Sequence, residues 1–258
     1  MESQNPADPS ESSGRLAIDP HVHSEASYDG SAPVRRLLQA ASARGLDGIV
    51  VTDHVTMEAT ERAVDHAPQY DLIALPGVEV STRAGHVLAI GVTDAPAPDQ
   101  PFHQTVRRIR ELGGVAVVPH PFQRSRHGVS RSDIHDCDGI ETLNACTVTN
   151  LRNGQARRFA ETSSYPEFGG SDAHVPSEVG RAYTAIELDQ AVVDPTRVSA
   201  EAVLDALRQG LTRACGTLSK RRRSLKKFTR NARLKSTRFA KSSISAAMVA
   251  RSWLGRAG

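Results

Sequence analysis

The sequence predicts an α/β protein with a parallel sheet, and three observations carry that expectation. Short apolar or β-branched runs recur at Leu16–Ile18, Ile49–Val51, Leu72–Leu75, Val87–Val92, Val115–Val118, Ile140–Leu143 and Phe168–Gly169. Segments of helical periodicity lie between several of them, and such alternation builds parallel sheets. Seven runs suit either closure into a (β/α) barrel or an open doubly wound sheet. Neither a GxGxxG nor a GxxxxGK(S/T) turn occurs, which weakens the nucleotide-binding open sheet. The third observation, the placement of polar residues at strand ends, decides for the barrel.

The elements show this in order. The first run enters "DPHVHSEASYDG", where alternation sets Asp19, His21 and His23 on one face of an extended chain, with Asp29 behind. "SAPVRRLLQAASARG" then reads as a helix, with Ser31 as N-cap, Pro33 in the first turn and Val34, Leu37, Leu38 and Ala41 on one face. "GIVV" runs into Asp53 and His54. "LIALPGVEV" delivers Glu79, and the following strand begins at His86. A second helix, "PFHQTVRRIRELGG", carries Phe102, Val106 and Ile109 and stops at a Gly pair. "GVAVV" ends in "PHPF" with His120, and "EFGG" ends in "SDAH" with Asp172 and His174. "TRVSAEAVLDALRQG" closes the pattern with Val203, Leu204 and Leu207. Six of the ten histidines thus sit at strand ends, mostly the carboxyl ends, where barrels assemble their active sites. His66, His103, His127 and His135 fall elsewhere.

Composition divides the chain. Residues 217–258 hold thirteen Lys or Arg and no Asp or Glu, leaving 19 of the 32 basic side chains with all 29 acidic ones. An acidic body at 15–216 and a basic tail at 217–258 are expected to do different jobs. "MESQNPADPSESSG", 1–14, has no apolar h-region and reads as a disordered arm. No apolar stretch is long enough for a transmembrane segment. Cys137, Cys146 and Cys215 show no CxxC spacing and cannot all pair, which fits a reducing cytoplasm.

Nine imidazoles and carboxylates at one barrel mouth would desolvate or repel one another unless cations compensate. Mixed nitrogen and oxygen donors suit Zn, Mn or Fe, and there are too many for one ion, so two or three divalent metals are expected. Donor imidazoles must be neutral, so cation affinity is expected to fall below about pH 6.

"DPHVHSEASYDG", "VTDH", "PGVEVSTRAGHVLAIGV", "VVPHPF" and "GGSDAH", in this order between Leu16 and Glu187, resemble the motifs of the PHP (polymerase and histidinol phosphatase) family, in its short stand-alone form. The resemblance implies a distorted seven-stranded (β/α) barrel, a trinuclear metal site and hydrolysis of phosphoesters. It assigns His21, His23, Glu79 and Asp172 to one metal, with Glu79 bridging to a second held by His86 and His120. Asp29, His54 and His174 would hold the third. In such a site paired ions acidify a shared water and clamp the attacking and leaving oxygens of an in-line displacement. Glu79, His120, Asp172 and Arg126 form the expected catalytic set. Arg126, Arg124 and Arg181 are candidates for gripping phosphate. Asp19 and Asp53 are candidates either to orient imidazole N–H groups or to fix turns. Cys146 reads as a buried strand residue.

The resemblance leaves the substrate among phosphomonoesters, 3′,5′-nucleotide bisphosphates and nucleic-acid 5′ ends. An acidic body favours a nucleotide or another small phosphorylated molecule, or a short oligonucleotide end, over a long phosphate backbone. The tail, "LSKRRRSLKKFTRNARLKSTRFAKSS", fits a solvated face, nucleic acid, an anionic membrane surface or a brace on the acidic body. The competing class is a metal-containing binding module that works through this tail.

Overall fold

The computed structural model describes residues 14–147, 150–188 and 198–217, all of which fall in one compact unit, 1–219. Residues 1–13 of the expected arm and the basic tail from 218 onward lie outside the described residues, and a second unit, 220–258, lies wholly outside them.

Nine strands form one sheet: β1 (Arg15–Val22), β2 (Gly48–Val51), β3 (Ile73–Thr82), β4 (Gly85–Ile90), β5 (Val115–Val118), β6 (Gly139–Asn144), β7 (Glu167–Gly170), β8 (Ala182–Glu187) and β9 (Thr212–Gly216). Their spatial order is β7-β6-β5-β4-β3-β2-β1-β8-β9. All seven expected runs are strands, and they lie side by side in chain order as a barrel requires. The sheet curls until its ends meet. Val22, at the end of β1, bridges to Ala173, just past β7. The Gly169 N–H donates to Thr184 Oγ1 on β8 (3.1 Å), and that hydroxyl donates back to the Gly169 carbonyl (2.9 Å). The architecture is a nearly closed, distorted α/β barrel.

The sheet is mixed, against the all-parallel expectation. β1, β2 and β3 are parallel, as are β5, β6 and β7, but β4 runs against both neighbours. Thr82 pairs with Gly85, leaving only Arg83 and Ala84 to turn the chain, and so short a hairpin forces antiparallel strands. The reversal puts the amino end of β4, and so His86, at the mouth where the other strands end. β8 and β9, absent from the expected runs, pair antiparallel beyond β1.

Among the described residues, five α-helices pack on the sheet: α1 (Val34–Ser42), α2 (Glu58–His66), α3 (Phe102–Glu111), α4 (Leu151–Ser163) and α5 (Ala200–Arg208). α1 follows Pro33 directly with no side-chain cap; Ser31 instead lies 3.5 Å from the His174 carbonyl. Two helices fall outside the expected pattern, α2 because it buries only Ala59, Thr60 and Ala63, and α4 because Gly154 and Asn153 interrupt its apolar stripe. Side chains alternate between the barrel interior and the outer layer. Ile18, Val50, Leu75, Leu88, Val117 and Phe168 share an interior cluster with Leu204 and Leu207 of α5, which stop the lower end. Ile49, Val51 and α1 pack outside.

Two bulges change this phase where function begins. The β1–β2 register slips between Asp19 and Val22, so Val22 joins Ala17 in the outer layer and His21 and His23 turn inward. The β6–β7 register slips between Glu141 and Leu143. Such slips re-aim side chains at barrel rims. Asp19 therefore does not share a face with the two histidines. Its carboxylate accepts from the backbone N–H groups of Ser171 (3.0 Å), Gly180 (2.8 Å) and His21 (3.3 Å), clasping β1 to the far edge of the sheet.

Burial lifts the Asp19 carboxyl to about 6, against the pull of those hydrogen bonds. A folded pKa above the unfolded value gives stability that is present at low pH and is lost as pH rises through the folded pKa. Urea unfolding of the parent and Asp19→Asn as a function of pH checks this. The stability difference should move in the variant's favour between about pH 4 and pH 6, and a pH-independent difference would contradict the assignment.

Candidate metal centre

Glu79, 1% exposed, lies at the middle of the mouth and turns its two oxygens to different imidazoles. Oε1 is 2.8 Å from His86 Nδ1 and 3.2 Å from His120 Nε2. Oε2 is 3.5 Å from His21 Nε2, 3.3 Å from His23 Nε2 and 3.4 Å from His54 Nδ1. Asp172 Oδ1 stands 3.6 Å from His23 Nε2 and 3.9 Å from His21 Nε2. Asp29 Oδ2 faces His174 Nε2 (3.1 Å) and His54 Nε2 (3.5 Å). All nine expected ligands therefore meet. His21, His23 and Asp172, then His21, Glu79 and His120, and then His23, His54 and Glu79 each present donor atoms within 4.8 Å of one another. The rings form a continuous pile, with centroids 4.6 Å apart for His23–His174 and 4.8 Å for His23–His54.

The donor set fits cations. His21 Nε2, His23 Nδ1, His54 Nδ1, His86 Nδ1, His120 Nδ1 and Asp172 Oδ1 are buried without an aligned hydrogen bond, and buried polar atoms normally have one. Charges press the same way. Burial would raise Glu79, but His54, His86 and His21 and the hydrogen bond to His120 hold its pKa well below the ordinary carboxylate value. Burial would also raise Asp172, yet Arg126, His21 and His174 hold it low. Asp29 is held low by His174 and His54 in the same manner. Burial lowers His21, but Asp172, Glu141 and Glu79 lift it well above the usual imidazole value. His54 and His174 are raised by their carboxylate neighbours against burial, whereas burial dominates at His23 and His120 and lowers both.

Two residues to which sequence reasoning gave no role hold this cluster in place. Glu141 Oε1 accepts from His21 Nδ1 (3.0 Å), turning the opposite nitrogen toward Glu79, while Oε2 accepts the His120 N–H (2.7 Å). A carboxylate behind a donor imidazole fixes its tautomer and raises its basicity. Asn144 Nδ2 donates to Glu141 Oε2 (2.8 Å) and Asp172 Oδ2 (3.0 Å). Asn153 of α4 grips the Asn144 backbone at both ends, accepting its N–H (3.2 Å) and donating to its carbonyl (3.1 Å). The available signal was a Glu and an Asn inside the apolar run "GIETLN". Gly170 leaves room for the bracket, since a Cβ there would lie 2.3 Å from Glu141 Oε1 and 2.8 Å from His21 Cβ. His120 (φ 32°) and Asp172 (φ 52°) both take left-handed backbone that non-glycine residues avoid, a strain often kept at functional sites.

Other expectations divide. Arg126 is in the site, with Nη2 2.6 Å from Asp172 Oδ2 and Nη1 donating to the Cys146 carbonyl (3.4 Å). Arg124 is exposed on a cleft of about 490 Å³ that opens beside His86 and is lined also by Tyr28, Arg83, His127 and Ser130. Arg181 points at Glu178 (4.0 Å), whose Oε2 accepts the His174 N–H, so it serves a turn under the site. Asp53, like Asp19, binds no imidazole; its Oδ1 accepts the Ser24 N–H (2.6 Å) and ties the β1–α1 loop to β2. Cys137, Cys146 and Cys215 form no disulfide with one another.

The chain is similar to known proteins in sequence and in fold. Residues 19–113 match the model of the PHP domain and residues 150–212 that of the PHP-associated segment. The chain belongs to the PHP family. Two uncharacterized proteins of Methanocaldococcus jannaschii are similar in sequence. MJ0417 is 29% identical over 118 residues, 43% of this chain and only half of its own length. MJ1587 is 26% identical over 142 residues, 50% of this chain and 82% of its own. Two crystal structures share the fold. One is a two-domain protein from Bacteroides vulgatus containing a predicted PHP-like metal-dependent phosphoesterase (TM-score 0.64, 20% identity, 83% of this chain and 70% of that one). The other is PsfC from Pseudomonas syringae (TM-score 0.62, 18% identity, 90% and 99%).

Two outcomes test the site. Glu141→Gln should keep the far-UV spectrum and lose about 10–100-fold in affinity for Mn²⁺ or Zn²⁺ by calorimetry; unchanged affinity would remove the orienting role. His21, His54 and His174 must lose protons to accept cations, and their raised pKa values move that loss above the ordinary 6.5. Metal affinity should therefore already fall as pH is lowered toward the ordinary imidazole value, a higher window than the sequence suggests. A flat affinity across that window would contradict it.

Proposed function

We propose that the protein is a hydrolase of phosphate esters that works with two or three divalent cations, and that its substrates are nucleotides or short nucleic-acid ends. The observation that carries the reading is the bridging pose of Glu79, with different imidazoles at each oxygen. On this reading His21, His23, Glu79 and Asp172 hold one ion, Glu79, His86 and His120 a second, and Asp29, His54 and His174 a third. When bound, such ions acidify water and neutralise charge on phosphoryl oxygens.

The chain's own residues supply the rest. Arg126 presents a guanidinium at the rim of the cluster, suited to a phosphoryl oxygen in two-point contact. In the absence of ester it rests on Asp172, so a phosphate would take over part of that ion pair. Glu141 and Asn144 keep His21, His120 and Asp172 from rotating as charge builds at the centre. The cleft beside His86 has the size of a small-molecule site, which supports a mononucleotide or a short single-stranded end over a duplex. Metal identity, Mn, Zn or Fe, follows from the mixed nitrogen and oxygen donors only as a class.

A panel of phosphomonoesters, 3′,5′-nucleotide bisphosphates and 5′-phosphorylated oligonucleotides, each with Mn²⁺, tests the reading. The full chain should turn over at least one member, and Glu79→Gln should lower kcat by at least about 100-fold, as for loss of a strong electrostatic group. Arg126→Ala should raise KM for the same ester. No turnover by metal-loaded protein on any member would leave the binding-module class.

A further inference from the structure

We infer that Cys146 is a sulfur donor of this centre, beside Asp172 and His174, and that it biases the cation position it reaches toward a zinc-class ion. The inference rests on the proposal that the cluster holds cations, and it extends the donor set to a residue that the family motifs above do not include.

Three observations on separate atoms carry it. The Cys146 sulfur and one donor atom each of Asp172 and His174 lie within 4.8 Å of one another. Asp172 Oδ1, on a side chain 1% exposed, has no aligned hydrogen bond and stands 3.6 Å from His174 Nδ1 and 3.6 Å from His23 Nε2, so it is open to a cation between these groups. The Cys146 backbone is also tied to Asp172 through two side chains. The Cys146 N–H donates to Asn144 Oδ1 (2.9 Å), while the Nδ2 of the same amide donates to Asp172 Oδ2 (3.0 Å). Arg126 makes a second link, from the Cys146 carbonyl to the Asp172 carboxylate. Cys146 therefore follows Asp172 as a rigid unit, just beyond the end of β6.

The chemistry then sets the ligand class. Sulfur is a poor donor to Mn²⁺ or Mg²⁺ and a good one to Zn²⁺ and its spectroscopic substitute Co²⁺. A centre with one sulfur among oxygens and nitrogens discriminates between these cations at that position and not at the others. Cys137, although buried, lies among the outer-layer apolar residues Val118, Ile134 and Phe159, and Cys215 sits on β9.

Full-length protein loaded with Co²⁺ provides the test, because sulfur coordination gives a near-ultraviolet charge-transfer band that oxygen and nitrogen donors do not. The parent, Cys137→Ala and Cys215→Ala should show the band, and Cys146→Ser and Cys146→Ala should lose it. The same Cys146 variants should lose about tenfold or more of the parent's preference for Zn²⁺ over Mn²⁺ in competition. A cobalt-loaded parent without the band overturns the proposal even if the variants do not fold, and so does a band that survives Cys146→Ala. Turnover measured on the same samples separates the two readings. Hydrolysis without the band removes only the sulfur donor, and the band without hydrolysis removes only the esterase.

Discussion

A single buried carboxylate organises the mouth of this barrel. Glu79 is nearly out of contact with water and within 3.5 Å of a nitrogen on each of five histidines. An isolated carboxylate in that position would be too costly to bury. Surrounding it with imidazoles alone makes a cluster whose protonation is frustrated, since His21, His54 and His174 are pushed toward the charged form while His23 and His120 are pushed away from it. Cations between these groups satisfy both sets together: they compensate the carboxylates and need the imidazoles neutral.

The rest of the fold serves this constraint. Parallel strands deliver their polar residues to a common rim, and β4, reversed between β3 and β5, delivers His86 from its amino end. The bulge in β1 exchanges inside for outside just where apolar side chains give way to His21 and His23. Asp19 clasps β1 to the segment that follows β7 at that level, so closure of the barrel and alignment of the donor groups depend on neighbouring atoms. Below the rim, Leu204 and Leu207 of α5 fill the floor and keep the polar layer shallow. Left-handed backbone at His120 and Asp172 is sustained by Glu141 and Asn144, which bind the backbone of the first and the side chain of the second.

Much of this was legible in the sequence, and the parts that were not have definite causes. The converging imidazoles and carboxylates could be read because strand ends place them at fixed intervals from apolar runs, as at "TDH", "PHPF" and "SDAH". His86 could be read as a strand start, but the antiparallel sense of β4 depends on a two-residue turn that contains no Asn-Gly or Asp-Gly signal. α4 was hidden because its inward face carries Asn153 for a hydrogen bond where an apolar residue would have marked a stripe. Glu141 and Asn144 were hidden by tertiary structure: their partners, His21, His120 and Asp172, lie far along the chain. Asp19 and Asp53 were read as either orienters or turn formers, and the backbone hydrogen bonds of both place them with the turn formers. Arg126 and Arg181 are alike in sequence context, and only the structure separates the one beside Asp172 from the one directed at Glu178.

The most direct measurement is a crystal structure of metal-loaded protein with anomalous scattering recorded at the Mn and Zn absorption edges. The account predicts at least two neighbouring ions, with Glu79 in contact with both and His21, His120 and Asp172 among their ligands. A single ion remote from Glu79, or no ordered ion after loading at neutral pH, would contradict it.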